Sequence, residues 1–167
     1  SMMNEREGQK IAIIGAARQG IALARYLVEH GAQVILNDKR PQSQLSTAQE
    51  ALADLPITWI LGGHPFTVLE GIDLLCLSGG VPLYNPLVVE AVRRGIPLSN
   101  DSQIFLEVTP CKVIGITGSA GKTTTTTLVG RIAQFAVENN PSAKQRVWLG
   151  GNIGNPLIAC LLYTSPS

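Results

Sequence analysis

Charge is scarce in this sequence. Asp, Glu, Lys and Arg make up 15% of the 167 residues, and 13 basic side chains against 12 acidic ones leave a formal net charge of +1. With no basic excess there is no broad cationic face, which argues against nucleic acid as a partner. A local anion site is still open, because a few aimed N–H groups are enough to make one. Cysteine is also sparse: Cys76, Cys111 and Cys160 lie far apart and form no C-x-x-C pair. The odd count and the apolar setting of Cys76 and Cys111 are read as buried free thiols in a reducing cytosol, not as a disulfide or zinc framework. No stretch of 18 apolar residues occurs, so no membrane span is expected. Residues 1–10 are polar and lack the apolar centre of a signal peptide, and Ser1-Met2-Met3 reads as a tag remnant. The expected location is cytoplasmic.

What is present is a core. Hydrophobic residues make up 45% of the chain, enough for one domain or for one domain and part of another. Short β-rich runs alternate with helical patterns through the first hundred residues. Lys10–Gly15, Gln33–Asn37, Ile57–Leu61, Ile72–Leu77 and Ile96–Leu98 read as strands. Between the first two, Ile21, Ala24, Leu27, Val28 and Gly31 share one helical face, and Arg25 pairs with Glu29 on the other. Ser46–Leu55 reads as a helix stopped by Pro56. Pro86–Arg94 reads as another, with Leu87, Val88, Ala91 and Val92 inward. This rhythm predicts an α/β fold, a Rossmann-like parallel sheet covered by helices on both faces.

Asp101–Glu107 is a short helix capped by Asn100 or Asp101. Val108-Thr109-Pro110 is a hinge, since proline turns its predecessor away from helix. The pattern then restarts with strand Lys112–Thr117, a glycine loop and a helix from Lys122 to about Val137. Residues 139–145 are a polar loop, Val147–Leu149 a short strand and Gly150–Ile158 a further glycine turn. The domains expected are therefore 10–108, 109–158 as the truncated start of a P-loop ATPase-type domain, and 159–167 as a non-native tail.

Two glycine corners carry the chemistry. Gly15-Ala16-Ala17-Arg18-Gln19-Gly20 joins a strand to a helix, and such a turn aims free N–H groups and the positive helix end at phosphates. Asp38 follows at nearly the spacing of a ribose-binding acid, but Ala17 stands where a dinucleotide site has its second glycine. The simpler alternative for this loop is a tight structural turn. The second corner is Gly118-Ser119-Ala120-Gly121-Lys122-Thr123-Thr124, again between strand and helix. Its N–H groups form an anion nest, Lys122 can reach terminal phosphates, and Thr123 can ligate Mg²⁺. It is tighter than the usual phosphate loop, because Ile116 occupies the place of the first glycine. His64, in a Gly-Gly-His-Pro turn, reads as structural or exposed, not catalytic.

Five stretches together resemble the Mur ligases of peptidoglycan synthesis, with the middle motifs pointing to the D-glutamate-adding branch. They are Gly15–Gly20, Asp38-Lys39-Arg40, Ser78-Gly79-Gly80-Val81-Pro82 with Asn85-Pro86, Ile116–Thr124, and Gly150-Gly151-Asn152-Ile153-Gly154. The resemblance implies that the first domain holds UDP-N-acetylmuramoyl-L-alanine. Gly15, Arg18 and Gln19 would then face the diphosphate and uracil. Asp38, Lys39 and Arg40 would contact uridine and phosphate, Ser78, Gly79 and Gly80 would lie beside the sugar-phosphate, and Asn152 near the active centre. Arg18, Arg40 and Asp38 also have plainer readings, as solvated charges and a strand-end cap. The implied reaction uses ATP and Mg²⁺ to make an acyl phosphate that the D-glutamate amine attacks, with Lys122 as the catalytic cation.

Departures are Ala17 for a common glycine, Gly79 for a proline and Ala120 for an asparagine. The metal-binding and amino-acid-binding parts are missing, and 159–167 leaves the family pattern. The chain alone is therefore expected not to ligate, and its second part to pair with another copy or be poorly ordered. Rival readings are an NAD(P)-dependent oxidoreductase built on the first corner, and a non-catalytic nucleotide-binding module.

Overall fold

The computed structural model describes residues 6–109, 113, 115, 121–140, 147 and 157–159. Five strands form one sheet: β1 (Lys10–Ile14), β2 (Gln33–Asp38), β3 (Ile57–Leu61), β4 (Leu74–Leu77) and β5 (Leu98–Asn100). Their order is β3-β2-β1-β4-β5, and every neighbouring pair is parallel. Parallel neighbours need crossovers, which here are α1 (Arg18–Glu29), α2 (Ser46–Ala51) and α3 (Pro86–Arg93), with α4 (Asp101–Val108) following β5. The α/β sheet with helices on both faces is thus as expected.

Side chains alternate across the sheet and divide the core in two. Ile11, Ile13, Leu36, Leu74 and Cys76 pack with α1, α2 and α4 through Leu23, Leu27, Ala48, Ile104 and Phe105. Ala12, Ile14, Ile35 and Leu75 pack on the other face with α3 and a 3-10 turn at Phe66–Leu69. The same alternation continues at the carboxyl ends of the strands. Asp38, Gly15 and Ser78 fall on the α1 side, and Asn37 on the opposite one.

Some boundaries differ from expectation. The helix at Ser46 ends at Ala51, not Leu55; β4 starts at Leu74, not Ile72; and β5 is Leu98–Asn100, not Ile96–Leu98. Val92 is not inward but 61% exposed, because α3 buries the narrower stripe of Leu87, Val88 and Ala91. Arg25 does reach Glu29 at 3.4 Å, but its closer partner is Asp54 at 2.9 Å. Asn100, not Asp101, caps α4 by accepting from the Gln103 N–H. Cys76 is buried, and desolvation pushes its thiol up to about 12, as an inert core thiol should be.

Beyond α4 the described residues are few. Helix α5 (Lys122–Glu138) forms where expected. Leu157–Ala159 makes a 3-10 turn against α1 and α4, with Ile158 fully buried in the α1-side core. The expected strands Lys112–Thr117 and Val147–Leu149 lie almost wholly outside the described residues, as do Cys111 and Cys160.

Candidate functional site

The strand order reverses between β1 and β4, where the next connection leaves toward α1 from one strand and toward α3 from the other. Ligands of open parallel sheets bind in the crevice such a reversal creates at the carboxyl ends of the strands. Both walls are built by the predicted residues. Gly15, at φ 103°, turns the chain from β1, and its N–H donates to the Asn37 carbonyl at 2.7 Å. Gly20 sits so close beneath that a Cβ on it would lie 1.8 Å from the Gly15 carbonyl oxygen. Only glycine fits there, for packing between helix and strand.

Ser78 braces this corner from the other wall. It is buried, and its hydroxyl reaches the carbonyl oxygens of Gly15 at 2.7 Å and Ile14 at 3.1 Å. Gly79 and Gly80 follow, both exposed. Gly79 is left-handed (φ 61°), and a Cβ on it would meet the Gln19 Oε1 at 3.4 Å. Gln19 and Gly79 therefore face each other across the crevice.

Helix α1 opens with Ala17 as N-cap, with no side-chain cap and no acidic residue in its first turn. Its first internal bond runs from the Ile21 N–H to the Ala17 carbonyl, so the amides of residues 18–20 precede any partner within the helix. Together with the helix dipole, this end favours an anion. Arg18 is exposed beside it.

Asp38 ties the corner to β2. Its Oδ2 accepts from the Ala16 N–H and from an Arg40 Nη2, both at 2.8 Å. Its Oδ1 accepts from the Arg40 N–H at 2.8 Å and Arg40 Nε at 3.0 Å. Burial opposes ionisation most strongly. The bonds from Arg40 and Ala16 and the arginine's charge together outweigh it, and they hold the carboxyl at about 2. A carboxylate has about four lone-pair directions, and protein donors use them all.

Arg40 is the group this arrangement presents. Its side chain is 40% exposed and lines a cavity of about 370 Å³ with Ala16, Arg18, Ile21, Gln44, Leu45, Thr47 and Ala48. Two arginines beside the apolar Ala16, Ile21, Leu45 and Ala48 suit a planar, anionic ligand. Lys39 is exposed next to it. The sequence pointed to both arginines but not to Gln44, Leu45, Thr47 or Ala48, whose approach depends on the 3-10 turn at Gln42–Gln44 that carries β2 into α2. His64 is half-buried and bonded to Asn37, in keeping with a structural part.

Of the second corner, Gly121 is left-handed at φ 75°, Lys122 starts α5, and Thr124 is exposed. Gly118, Ser119, Ala120, the Thr123 side chain and Asn152 lie outside the described residues. Among the described residues no group of three His, Cys, Asp or Glu could hold a metal, and no helix is long and apolar enough to cross a membrane.

Comparison with known proteins agrees with this architecture. The sequence profile of the Mur ligase MurD-like N-terminal domain matches residues 9–100. UDP-N-acetylmuramoylalanine--D-glutamate ligase of Pelotomaculum thermopropionicum is 39% identical over 158 residues, 95% of this chain and 33% of that protein. The same enzyme of Geobacillus kaustophilus is 39% identical over 153 residues, 91% of this chain and 32% of that one. The chain thus spans about a third of the length of these relatives. Among solved structures, a UDP-N-acetylmuramate-alanine ligase from Thermotoga maritima matches at 24% identity and a TM-score of 0.49. It covers 77% of this chain and 30% of that one, too loose a likeness to bear on function. The profile match over more than half of the sequence, on the residues that build the sheet and its crevice, places this chain in the MurD-like Mur ligase family.

Proposed function

We propose that this chain is the nucleotide-handling part of an ATP-dependent amide ligase that adds D-glutamate to UDP-N-acetylmuramoyl-L-alanine in peptidoglycan synthesis. The observation that carries the reading is the corner at Gly15–Gln19 with the two-arginine cavity beside it. In this reading the diphosphate lies over the start of α1, between Gly15, Arg18 and Gln19 on one wall and Ser78, Gly79 and Gly80 on the other. The uridine enters the cavity, where Lys39 and Arg40 meet it. Asp38 belongs to the same set, chiefly as the residue that aims Arg40 and fixes the Ala16 amide.

The unit at 109–158 would bring ATP. Gly118, Ser119, Ala120, Gly121, Lys122, Thr123 and Thr124 would cradle its phosphates, with the Lys122 ammonium set against charge on the transferring phosphoryl group. Mg²⁺ would be held through Thr123 and supply further charge neutralisation when bound, and Asn152 would meet the substrate. The amide forms when the D-glutamate amine displaces phosphate from the acyl phosphate of the UDP-linked substrate. We place the reaction in the bacterial cytoplasm and expect this chain by itself to be inactive in ligation, with self-association open to it through its second unit.

The dehydrogenase alternative is disfavoured by Asp38. A ribose-binding acid must accept hydroxyl protons, and this carboxylate is saturated by Arg40 and Ala16. Thermal-shift titration tests the choice, since a ligand of the native state stabilises it by RT ln(1 + [L]/Kd). UDP should raise the melting temperature and NADH should not, and Lys122→Ala should abolish an ATP response while leaving the UDP response intact. Stabilisation by NADH without UDP would give the site to the dinucleotide.

A further inference from the structure

A hydrogen-bonded frame on the opposite face of β2 is not used by this reading. Asn37 is fully buried, and its Nδ2 donates to the carbonyl oxygens of Ile60 and Gly63, both at 2.8 Å. An amide atom flanked by two carbonyls is the nitrogen, so the atom 2.6 Å from His64 Nδ1 is Oδ1. That oxygen can only accept. His64 Nδ1 therefore carries a proton, and in the neutral ring Nε2 does not. The same turn reaches across to the ligand side: the Gly62 N–H is shared between the carbonyl oxygens of Asp38 and Arg40, 3.0 Å from each. Arg40 is thus held twice, by Asp38 through its guanidinium and backbone N–H, and by the turn through its carbonyl.

We infer that His64 is a positioning residue for the nucleotide corner. By supplying the one donor to the buried Asn37 Oδ1 among the bonds described, it locks the turn at residues 60–63, and that turn fixes the main chain from which Arg40 is aimed into the cavity. Without the imidazole, Asn37 keeps a buried acceptor unmet, and the turn has reason to shift. The inference rests on the reading of the cavity as a uridine diphosphate site.

Calorimetric titration of the 167-residue chain with UDP tests it, each variant being checked as folded by circular dichroism at the assay temperature. His64→Ala should weaken UDP by about tenfold. His64→Asn, whose Nδ2 can stand where Nδ1–H stood, should recover to within about threefold of the starting protein. Because the histidine acts through the arginine, Arg40→Ala with His64→Ala should bind no more weakly than Arg40→Ala alone, whereas independent effects would add. An unchanged affinity in His64→Ala, or additive losses in the double variant, would overturn the inference and leave the uridine diphosphate reading standing. A starting protein that does not bind UDP would overturn both. Should His64→Ala fail to fold, ¹⁵N chemical shifts of the starting protein decide. In the neutral ring the proton is expected on Nδ1 with Nε2 bare, and the opposite tautomer would contradict the frame.

Discussion

The two glycine-led helix starts, at α1 and α5, share a local device, and their described side chains differ in burial. Helices α1 and α5 each begin after a left-handed glycine region, with no side-chain cap and no acid in the first turn. Under α1 lie Ser78, Asp38 and a covered sheet face, and Leu23, Ala24 and Leu27 are wholly buried. Along α5 none of the described side chains is buried, and Leu128, Ile132 and Phe135 are 55–70% exposed. A glycine corner in sequence therefore specifies where N–H groups are offered. What stands beneath it decides how firmly they are held.

The sharpest way to break the contrast is at Gly20. A methyl there would overlap the Gly15 carbonyl, so Gly20→Ala should cost about 3 kcal/mol or prevent folding, measured by urea denaturation. A variant that folded with unchanged stability would show that the first corner is not tightly packed.

Next in size is Ile158. Truncating this fully buried side chain should remove about 2–3 kcal/mol, whereas Ile132→Ala on α5 should stay within about 0.5 kcal/mol. Equal losses at the two positions would erase the difference between the regions.

Acid is the third probe. The folded Asp38 carboxyl ionises at about 2, below its unfolded value of about 3.9, so its contribution is complete above pH 4. That contribution, about 2 kcal/mol, should disappear as pH falls from about 4 toward 2, and Asp38→Asn should flatten this part of the stability profile. An identical acid profile in the variant would mean that the four bonds to Asp38 are not formed in solution.

How much of this was readable in sequence follows from range. The strands and α1 were legible because buried parallel strands are continuous apolar runs and α1 has a 3.6-residue stripe. Gly15, Gly20 and Asp38 were legible because their spacing is a local property of one strand-turn-helix unit. Asp38's engagement with Arg40 was not, since two residues apart in sequence says nothing of a four-bond clasp. Asn37 and His64, 27 residues apart, meet because β2 and β3 are neighbours, and that pairing is set by the whole sheet. Ile158 was assigned to the second unit; its burial against α1 and α4 depends on a groove with no linear signature.

The most direct measurement is an amide-shift map of the ¹⁵N-labelled chain during titration with UDP. The account predicts that the largest changes fall on Gly15–Gln19, Arg40, Gly79 and Gly80, with α5 silent. Saturable changes centred elsewhere, or none at millimolar UDP, would contradict the claim that this crevice gathers the diphosphate.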